Sequence, residues 1–331
     1  MIDKKTLAQT CSGVILARER VQLDLEVLGG VRVGEATGGG DGHGALANDL
    51  SIARPLGTQP GDEEESCELW LADSKTGYGR HVDFMGQSRG IGLKAAEHIR
   101  DLWKESGLKI TETVEDGMRV ERPEYFVARV SILDMNDAKH QRMRAALARC
   151  KLPAVARHAN ASLSYAKIRR EARSKGEEYM YINIGGGSKE QAEEAAEWLR
   201  REGLGDFVNV TPGPLLRATR GALLTHMPIV PASTYKNLMG AIRAAYDISS
   251  HMDDPDPELD LDGRNEPKWG HHSFRRAADK VARATMDETG ATRDDIDEHF
   301  GWKQRERAED MQLHYEGRRD RARRARVTMM L

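Results

Sequence analysis

The sequence predicts an α+β fold that is mainly α-helical, with a small antiparallel β-hairpin or sheet and a large insertion. The last third has helical patterns with clear start and stop residues. Two alternating segments, ELWLAD and RHVDF, flank a turn that contains glycine, which is typical of a β-hairpin. Residues 108–228 differ from the rest of the chain in their residue pattern, because strand-like segments there alternate with strongly basic ones.

The elements follow from these patterns in chain order. Hydrophobic periodicity and helix start and stop residues predict helices over residues 4–28, 91–104, 189–201 and 233–248, and further helices that begin near residues 272, 292 and 304. The apolar spacing of the first helix is irregular, whereas Ala95, Ile99 and Leu102 share one face of the second. Strands are predicted within residues 118–133. Ser188 and Gln191 form a capping-box pattern, so the helix after them has a defined start.

Composition excludes several classes of protein. The longest apolar runs are too short to span a bilayer, and the amino terminus, MIDKKTLAQT, lacks the pattern of a secretory signal. The three cysteines, Cys11, Cys67 and Cys150, are widely spaced and are interpreted as reduced thiols. The sequence therefore predicts an intracellular protein that does not interact with membranes.

Charge is segregated along the chain although the net charge is only −3. Acidic residues concentrate in GDEEESCE and DDPDPELDLD, while residues 139–175 hold eleven Lys or Arg and one Glu. Residues 318–326 hold six Arg and one Asp. Such segregation allows one basic face that binds nucleic acid, and solvated helix faces remain the alternative interpretation.

Four short motifs carry residues suited to phosphodiester chemistry. LGGVRVGEA contains Arg32 and Glu35, and the hairpin loop SKTG contains Lys75. HSFRR contains His272 and Arg275. HFGW and LHY contain Trp302 and Tyr315, which is the only tyrosine after Tyr246.

In composition and order these motifs resemble the tyrosine recombinase (phage integrase) family. The resemblance implies a recombinase-like catalytic core in which residues 1–107 form the first part, 108–228 an insertion with basic helices, and 229–331 the second part. It implies site-specific cleavage and rejoining of duplex DNA, as in recombination or integration by a mobile element, through a 3′-phosphotyrosyl intermediate. No metal and no cofactor are expected.

The resemblance also assigns roles to individual residues. Arg32 and Arg275 would brace the phosphate oxygens, because guanidinium groups make bidentate, permanently charged contacts to phosphate. Lys75 would protonate the leaving 5′ oxygen, and His272 would assist proton transfer.

Trp302 would donate its indole N–H to the phosphate, and Glu35 would orient the pocket. Tyr315 would be the nucleophile, which needs a positive environment since only ~0.1% of a phenol with a pKa of about 10 is ionised at pH 7.

Further basic residues are predicted to contact the DNA backbone. These residues are Arg142, Arg144, Arg149, Lys167, Arg169, Arg170, Arg318 and Arg319. Two or four protomers are expected to assemble on paired DNA sites.

Alternative interpretations remain open. The spacing between Trp302 and Tyr315 is about one helical turn longer than is usual in the family. The family's amino-terminal helical domain is expected either to be truncated from this chain or to be replaced by the insertion. A non-catalytic DNA-binding relative is therefore one alternative. GQSRGIGLKAAEHI resembles the phosphate-binding turn of NAD(P)-dependent short-chain dehydrogenases, but the chain lacks their Tyr-x-x-x-Lys motif. YMYINIGGGSKEQ resembles a strand, glycine loop and helix that bind phosphate, but its lysine and hydroxyl are not placed as in a P-loop, and an ordinary strand-to-helix turn is the favoured interpretation. A metal-dependent integrase would require paired carboxylates from the loop-like acidic runs.

Overall fold

Two antiparallel sheets organise the chain. The computed structural model describes residues 16–37, 44–72, 79–88, 90–131, 135–152, 181–217 and 271–300, together with residues 8, 14, 155 and 226. The first sheet has the order β3-β2-β1-β5-β4 and contains β1 (Leu50–Pro55), β2 (Ser66–Leu71), β3 (Arg80–Met85), β4 (Lys109–Glu115) and β5 (Met118–Glu124). The second has the order β7-β6-β8 and contains β6 (Phe126–Ser131), β7 (Tyr181–Gly187) and β8 (Val208–Pro212).

Helices cover these sheets. In chain order the α-helices are α1 (Ala17–Val27), α2 (Val33–Thr37), α3 (Ala95–Glu105), α4 (Asp137–Arg149), α5 (Lys189–Leu199), α6 (His271–Ala284), α7 (Met286–Thr289) and α8 (Arg293–His299). A π-helical turn, Arg200–Leu204, follows α5. The predicted helices over residues 233–248 and from residue 304 lie outside the described residues.

The first and last parts of the chain share one hydrophobic core. Val21 and Leu25 of α1 pack with Ile99 of α3, and Phe274 of α6 and Phe300, just after α8, belong to the same cluster. Burial of apolar surface is the main favourable term in folding, so this core holds residues near 30 and near 275 in one body. The motifs around Arg32 and Arg275 are therefore neighbours in space.

Helix α1 is buried on nearly all sides, which explains its irregular apolar spacing. Its buried polar residues have partners on other helices: Asp24 Oδ2 lies 2.9 Å from His98 Nδ1, and Glu26 Oε1 lies 3.0 Å from His271 Nδ1. Buried charged groups persist in proteins when they are paired in this way. Residues on every face of α1 thus contact protein, and a single apolar stripe is not required.

The predicted hairpin is confirmed, and the sheet around it is larger than predicted. Strands β2 and β3 pair antiparallel from Ser66 with Met85 to Leu71 with Arg80. Strand β5 pairs with β1, and β4 extends the sheet beyond β5. The β4–β5 hairpin consequently belongs to the first sheet, although it follows residue 107 in the chain.

The second sheet has its own core, in which Val130 and Ile184 pack against Met143 of α4 and Ala196 of α5. Helix α5 begins with the predicted capping box, since Ser188 Oγ accepts from the Gln191 N–H and the Gln191 side chain accepts from the Ser188 N–H. None of the helices within the described ranges has the length and apolarity needed to cross a membrane.

Candidate functional site

The turn that carries Arg32 is shaped by two glycines at the end of α1. Gly30 has a φ of +57°, a conformation that glycine adopts without the steric cost of a Cβ atom. A Cβ on Gly30 would lie 2.9 Å from Phe300 Cδ1 and 3.1 Å from the His299 carbonyl oxygen. The close approach of this turn to the end of α8 therefore requires glycine. The same contact fixes the position of the backbone that leads to Arg32.

Glu35 of α2 binds Arg32 in two ways. The Arg32 backbone N–H donates to Glu35 Oε2 at 2.8 Å, and Arg32 Nη1 donates to Glu35 Oε1 at 2.7 Å. Glu35 itself is buried. Burial raises the pKa of Glu35, but the charge of Arg80 and hydrogen bonds from Arg32 and Arg80 outweigh burial and hold that pKa below its usual value. Glu35 is consequently an ionised anchor for the arginine that precedes it by one helical turn.

Arg80, the first residue of β3, is a functional candidate that sequence reasoning missed. Its Nη2 donates to Glu35 Oε2 at 2.9 Å and to the Gly30 carbonyl at 3.2 Å, and its Nη1 donates to the His299 carbonyl at 3.4 Å. Arg80 thus joins β3, the Arg32 turn and the end of α8. The only sequence signal for it is its place at the start of the strand that follows the hairpin loop.

Arg275 of α6 lies in the same charged cluster. Its exposed fraction is only 2%, and burial together with repulsion from Arg32 and Arg80 lowers its pKa to about 10, against which Glu35 and Asp279 act. The group remains protonated at neutral pH because that value is well above 7. The structure therefore brings Arg32 and Arg275 together, but it buries Arg275 more deeply than direct contact with a large substrate requires.

We call Arg32, Glu35, Arg80 and Arg275 the arginine cluster. Arg32 and Arg80 bond to the Glu35 carboxylate, and Arg275 is close enough to feel its charge, so positive charge exceeds negative charge among these four side chains. Arg32 and Arg80 are each 19% exposed at the side chain and are the members that solvent reaches. Partly buried guanidinium groups with excess positive charge are suited to a phosphate or another oxyanion.

Two histidines hold the helices that carry this cluster. His271 contacts Glu26 on α1 at the start of α6. His299 Nε2 donates to the Leu28 carbonyl at 2.6 Å at the end of α8. Both interactions tie the carboxyl-terminal helices to α1, and we assign them a positioning role for Arg275 and the Gly30 turn.

The other predicted catalytic residues are described only in part. His272 lies in the first turn of α6, and the structure describes its backbone only. Lys75, Trp302 and Tyr315 lie outside the described residues. Of the predicted DNA-contacting residues, Arg142, Arg144 and Arg149 are exposed on α4, while Lys167, Arg169, Arg170, Arg318 and Arg319 lie outside the described residues.

The glycine-rich turn after β3 has a structural role. A Cβ on Gly86 would lie 3.0 Å from the Glu65 carbonyl and 3.1 Å from Ala96 Cβ, so glycine allows α3 to pack closely on the sheet. The strand before it, β3, is an antiparallel edge strand, and every strand pair in the described part of the chain is antiparallel. A dinucleotide-binding fold requires a parallel βαβ unit, so this geometry counts against the dehydrogenase alternative.

Comparison with known proteins does not assign the chain to a family. No protein-family model matches it, and neither the curated proteins nor the solved structures give a match. Among the described side chains, no group of three or more His, Cys, Asp or Glu residues is arranged to hold a metal ion.

Proposed function

We propose that this chain is a DNA strand-transfer enzyme of the tyrosine recombinase type, which cleaves and rejoins duplex DNA through Tyr315. The observation that supports this proposal best is the arginine cluster, because it joins Arg32 and Arg275 from distant parts of the sequence. The order of the sequence motifs supplies the rest of the argument. The fold we propose is accordingly a recombinase-like catalytic core with an inserted second sheet.

The cluster is suited to the charge that develops during attack on a phosphodiester. Non-bridging oxygens gain negative charge in the transition state, and preorganised cations stabilise it at that moment. Arg32 is partly exposed and is held by two bonds to Glu35, so it contacts an oxygen directly in this proposal. Arg275 is buried and close enough to Arg32 for their charges to interact, and it contributes positive potential where screening by water is weak.

The proposed reaction is balanced without an external energy source. The Tyr315 oxygen attacks phosphorus and loses its proton to a neighbouring base, and the bond from phosphorus to the 5′ oxygen breaks. Lys75 donates a proton to that leaving oxygen, while His272 and Trp302 contact the phosphate or the tyrosine. The product is a 3′-phosphotyrosyl bond and a free 5′ hydroxyl, and attack by a 5′ hydroxyl reverses the step.

Covalent capture tests the proposal. The full chain is incubated with a pool of randomised DNA duplexes that carry a nick, so that cleavage releases a short fragment and religation is prevented. We expect an adduct that survives denaturation and enriches one DNA sequence. Tyr315→Phe should abolish the adduct, and Tyr246→Phe should leave it unchanged.

Each other outcome identifies a different alternative. An adduct that persists in Tyr315→Phe would disprove the assigned nucleophile. Sequence-specific DNA binding without an adduct would favour a non-catalytic relative of the same fold. A thermal shift with NAD(P) and none with DNA would favour the dehydrogenase alternative.

A further inference from the structure

Strand β4 forms an open edge of the first sheet. Among the described residues it pairs only with β5, and six consecutive residues, 109–114, are exposed. Two of them are apolar: Ile110 is 40% exposed and Val114 is 64% exposed. A long exposed edge strand offers a row of backbone donors and acceptors to another strand.

The hairpin geometry determines which backbone groups face outward. Asp116 and Gly117 join β4 to β5 with φ values of 49° and 77°, as a two-residue type I′ turn requires. In such a hairpin the closing pair, Glu115 and Met118, is hydrogen-bonded, and the pairs alternate from there. The N–H and C=O groups of residues 110, 112 and 114 therefore point away from β5. Pro123, which has no N–H, lies opposite Ile110 at a pair that needs no such bond, as this alternation requires.

The sequence of β4, KITETVE, is complementary to itself in the antiparallel direction. If two copies pair with Glu112 at the centre, Lys109 of one copy lies opposite Glu115 of the other. Ile110 then lies opposite Val114, and Thr111 opposite Thr113. Opposite charges, β-branched apolar pairs and threonine pairs are the favourable cross-strand combinations.

We propose that β4 pairs antiparallel with β4 of a second copy of this chain, centred on Glu112, so that the first sheet continues across a twofold axis. In this register residues 110, 112 and 114 of both copies exchange about six backbone hydrogen bonds. This register is possible because Glu112, the central residue of the pairing, is one of the residues whose backbone N–H and C=O groups point away from β5. The interface is isologous, as in most homodimers.

The like charges at the centre are compensated within each copy. Glu112 accepts a hydrogen bond from Arg54 Nη2 at 3.0 Å and from Arg119 Nη1 at 2.8 Å. These two guanidinium groups reduce the repulsion between the two Glu112 side chains. Lys109 and Glu115 also have partners in their own chain, Glu124 and Arg122, so the new ion pairs extend existing networks.

The interface is small, since one strand from each copy contributes to it. We expect weak self-association with a dissociation constant of roughly 10–100 µM, as for interfaces at the low end of the size range. Two copies on adjacent DNA sites would have a higher effective concentration than in free solution. The inference does not depend on catalysis, and it is tested without DNA.

Site-directed crosslinking tests the register. In Glu112→Cys the two new thiols face each other across the axis, so a short bismaleimide should join two copies. In Val114→Cys the thiols are about 14 Å apart along the strands, and little product is expected. The chain without an added cysteine gives the background: Cys67 and Cys150 are buried, and Cys11 is replaced by serine in every variant. Equal yields from positions 112 and 114 would overturn the register.

Charge reversal tests the interface by sedimentation. Lys109→Glu and Glu115→Lys should each weaken dimerisation about tenfold, because two cross-strand ion pairs become repulsive. The double variant restores opposite charges between copies but not the pairs with Glu124 and Arg122, so recovery of the dimer is specific to the proposed pairing. The proposal is overturned if the wild-type chain stays monomeric at millimolar concentration. It is also overturned if the chain dimerises but none of these variants changes the dissociation constant of the dimer.

Discussion

Arg80 donates a 2.9 Å hydrogen bond to Glu35, and the same carboxylate holds both the backbone and the side chain of Arg32. This arrangement makes the position of Arg32 depend on a strand that begins directly after the predicted catalytic hairpin loop. Arg80 also binds the carbonyl oxygens of Gly30 and His299. One guanidinium therefore connects three segments that the proposed site needs at fixed distances.

Replacing Arg80 should affect both folding and catalysis. Arg80→Ala removes the hydrogen bonds to Glu35, Gly30 and His299 and leaves the Glu35 charge with less compensation. We therefore expect a loss of about 2–3 kcal/mol in the free energy of unfolding. DNA cleavage, once an adduct is detected, should slow by about 100-fold because Glu35, which anchors Arg32, loses one of its own partners. Urea denaturation and single-turnover adduct formation measure the two effects.

Two control variants show whether the effect of Arg80→Ala comes from the loss of its hydrogen bonds. Arg80→Lys keeps the charge, but its single nitrogen cannot take the places of both Nη1 and Nη2, so its cleavage rate should lie between those of the wild type and Arg80→Ala. Arg201→Ala removes an exposed arginine that pairs with Glu197 on the surface, and its stability should change by less than about 0.5 kcal/mol. If Arg80→Ala is as stable as Arg201→Ala, the anchoring role is wrong.

The lowered pKa of Glu35 predicts a pH dependence of stability. The folded pKa lies below the value in the unfolded chain, so ionised Glu35 stabilises the fold above the unfolded pKa of about 4.3, and this contribution is lost as pH falls through the folded value. Glu35→Gln should therefore cost about 2 kcal/mol at pH 7 and progressively less below pH 4. Urea titrations between pH 3 and 7 measure this difference.

Glu97→Gln is the matched control, because Glu97 pairs with Lys94 on an exposed face of the protein. Its effect on stability should stay below about 0.5 kcal/mol at every pH. A constant cost of Glu35→Gln across the whole pH range would show that the carboxylate acts through its shape and not through its charge.

Local patterns accounted for much of what could be predicted from the sequence. The β2–β3 hairpin is confirmed because strand alternation and turn residues are adjacent in sequence. The same holds for the capping box at Ser188, where both partners lie within one helical turn. The extension of the first sheet by β4 and β5 was not predicted, since pairing of β1 with β5 depends on interactions between distant residues.

Only those residues of the candidate site that lie in a short sequence motif could be predicted. Arg32, Glu35 and Arg275 lie in short motifs, and the structure places them in one cluster. Arg80 could not be selected from sequence, because its only local signal, a place at the start of the strand after the hairpin loop, does not reveal its bonds to distant residues. The buried partners of α1, His98 and His271, were missed for the same reason: a pair between distant residues leaves no periodic signal.

The close approach of Gly30 to Phe300 predicts a difference between two glycines with similar backbone angles. Gly30→Ala places a Cβ 2.9 Å from Phe300 Cδ1, whereas a Cβ on Gly290, with a φ of +68°, meets nothing within 4 Å. Both substitutions incur the left-handed strain of about 1–2 kcal/mol. Gly30→Ala should cost about 2 kcal/mol more because of the steric clash. Equal midpoints of urea unfolding for the two variants would contradict the close approach of the Arg32 turn to the end of α8.

The exposed arginines of α4 predict how DNA binding depends on salt. If Arg142, Arg144 and Arg149 bind phosphates, replacing all three with alanine should lower the slope of log K against log salt by about 0.9 for each phosphate that is no longer neutralised. Fluorescence anisotropy with a labelled duplex at several salt concentrations gives this slope. The matched variant replaces all three with lysine, which keeps the charges and should keep the slope, because counterion release depends on charge and not on guanidinium geometry. A slope that is the same in the alanine and lysine variants would remove α4 from the DNA interface and leave the arginine cluster as the phosphate-binding group of the described residues.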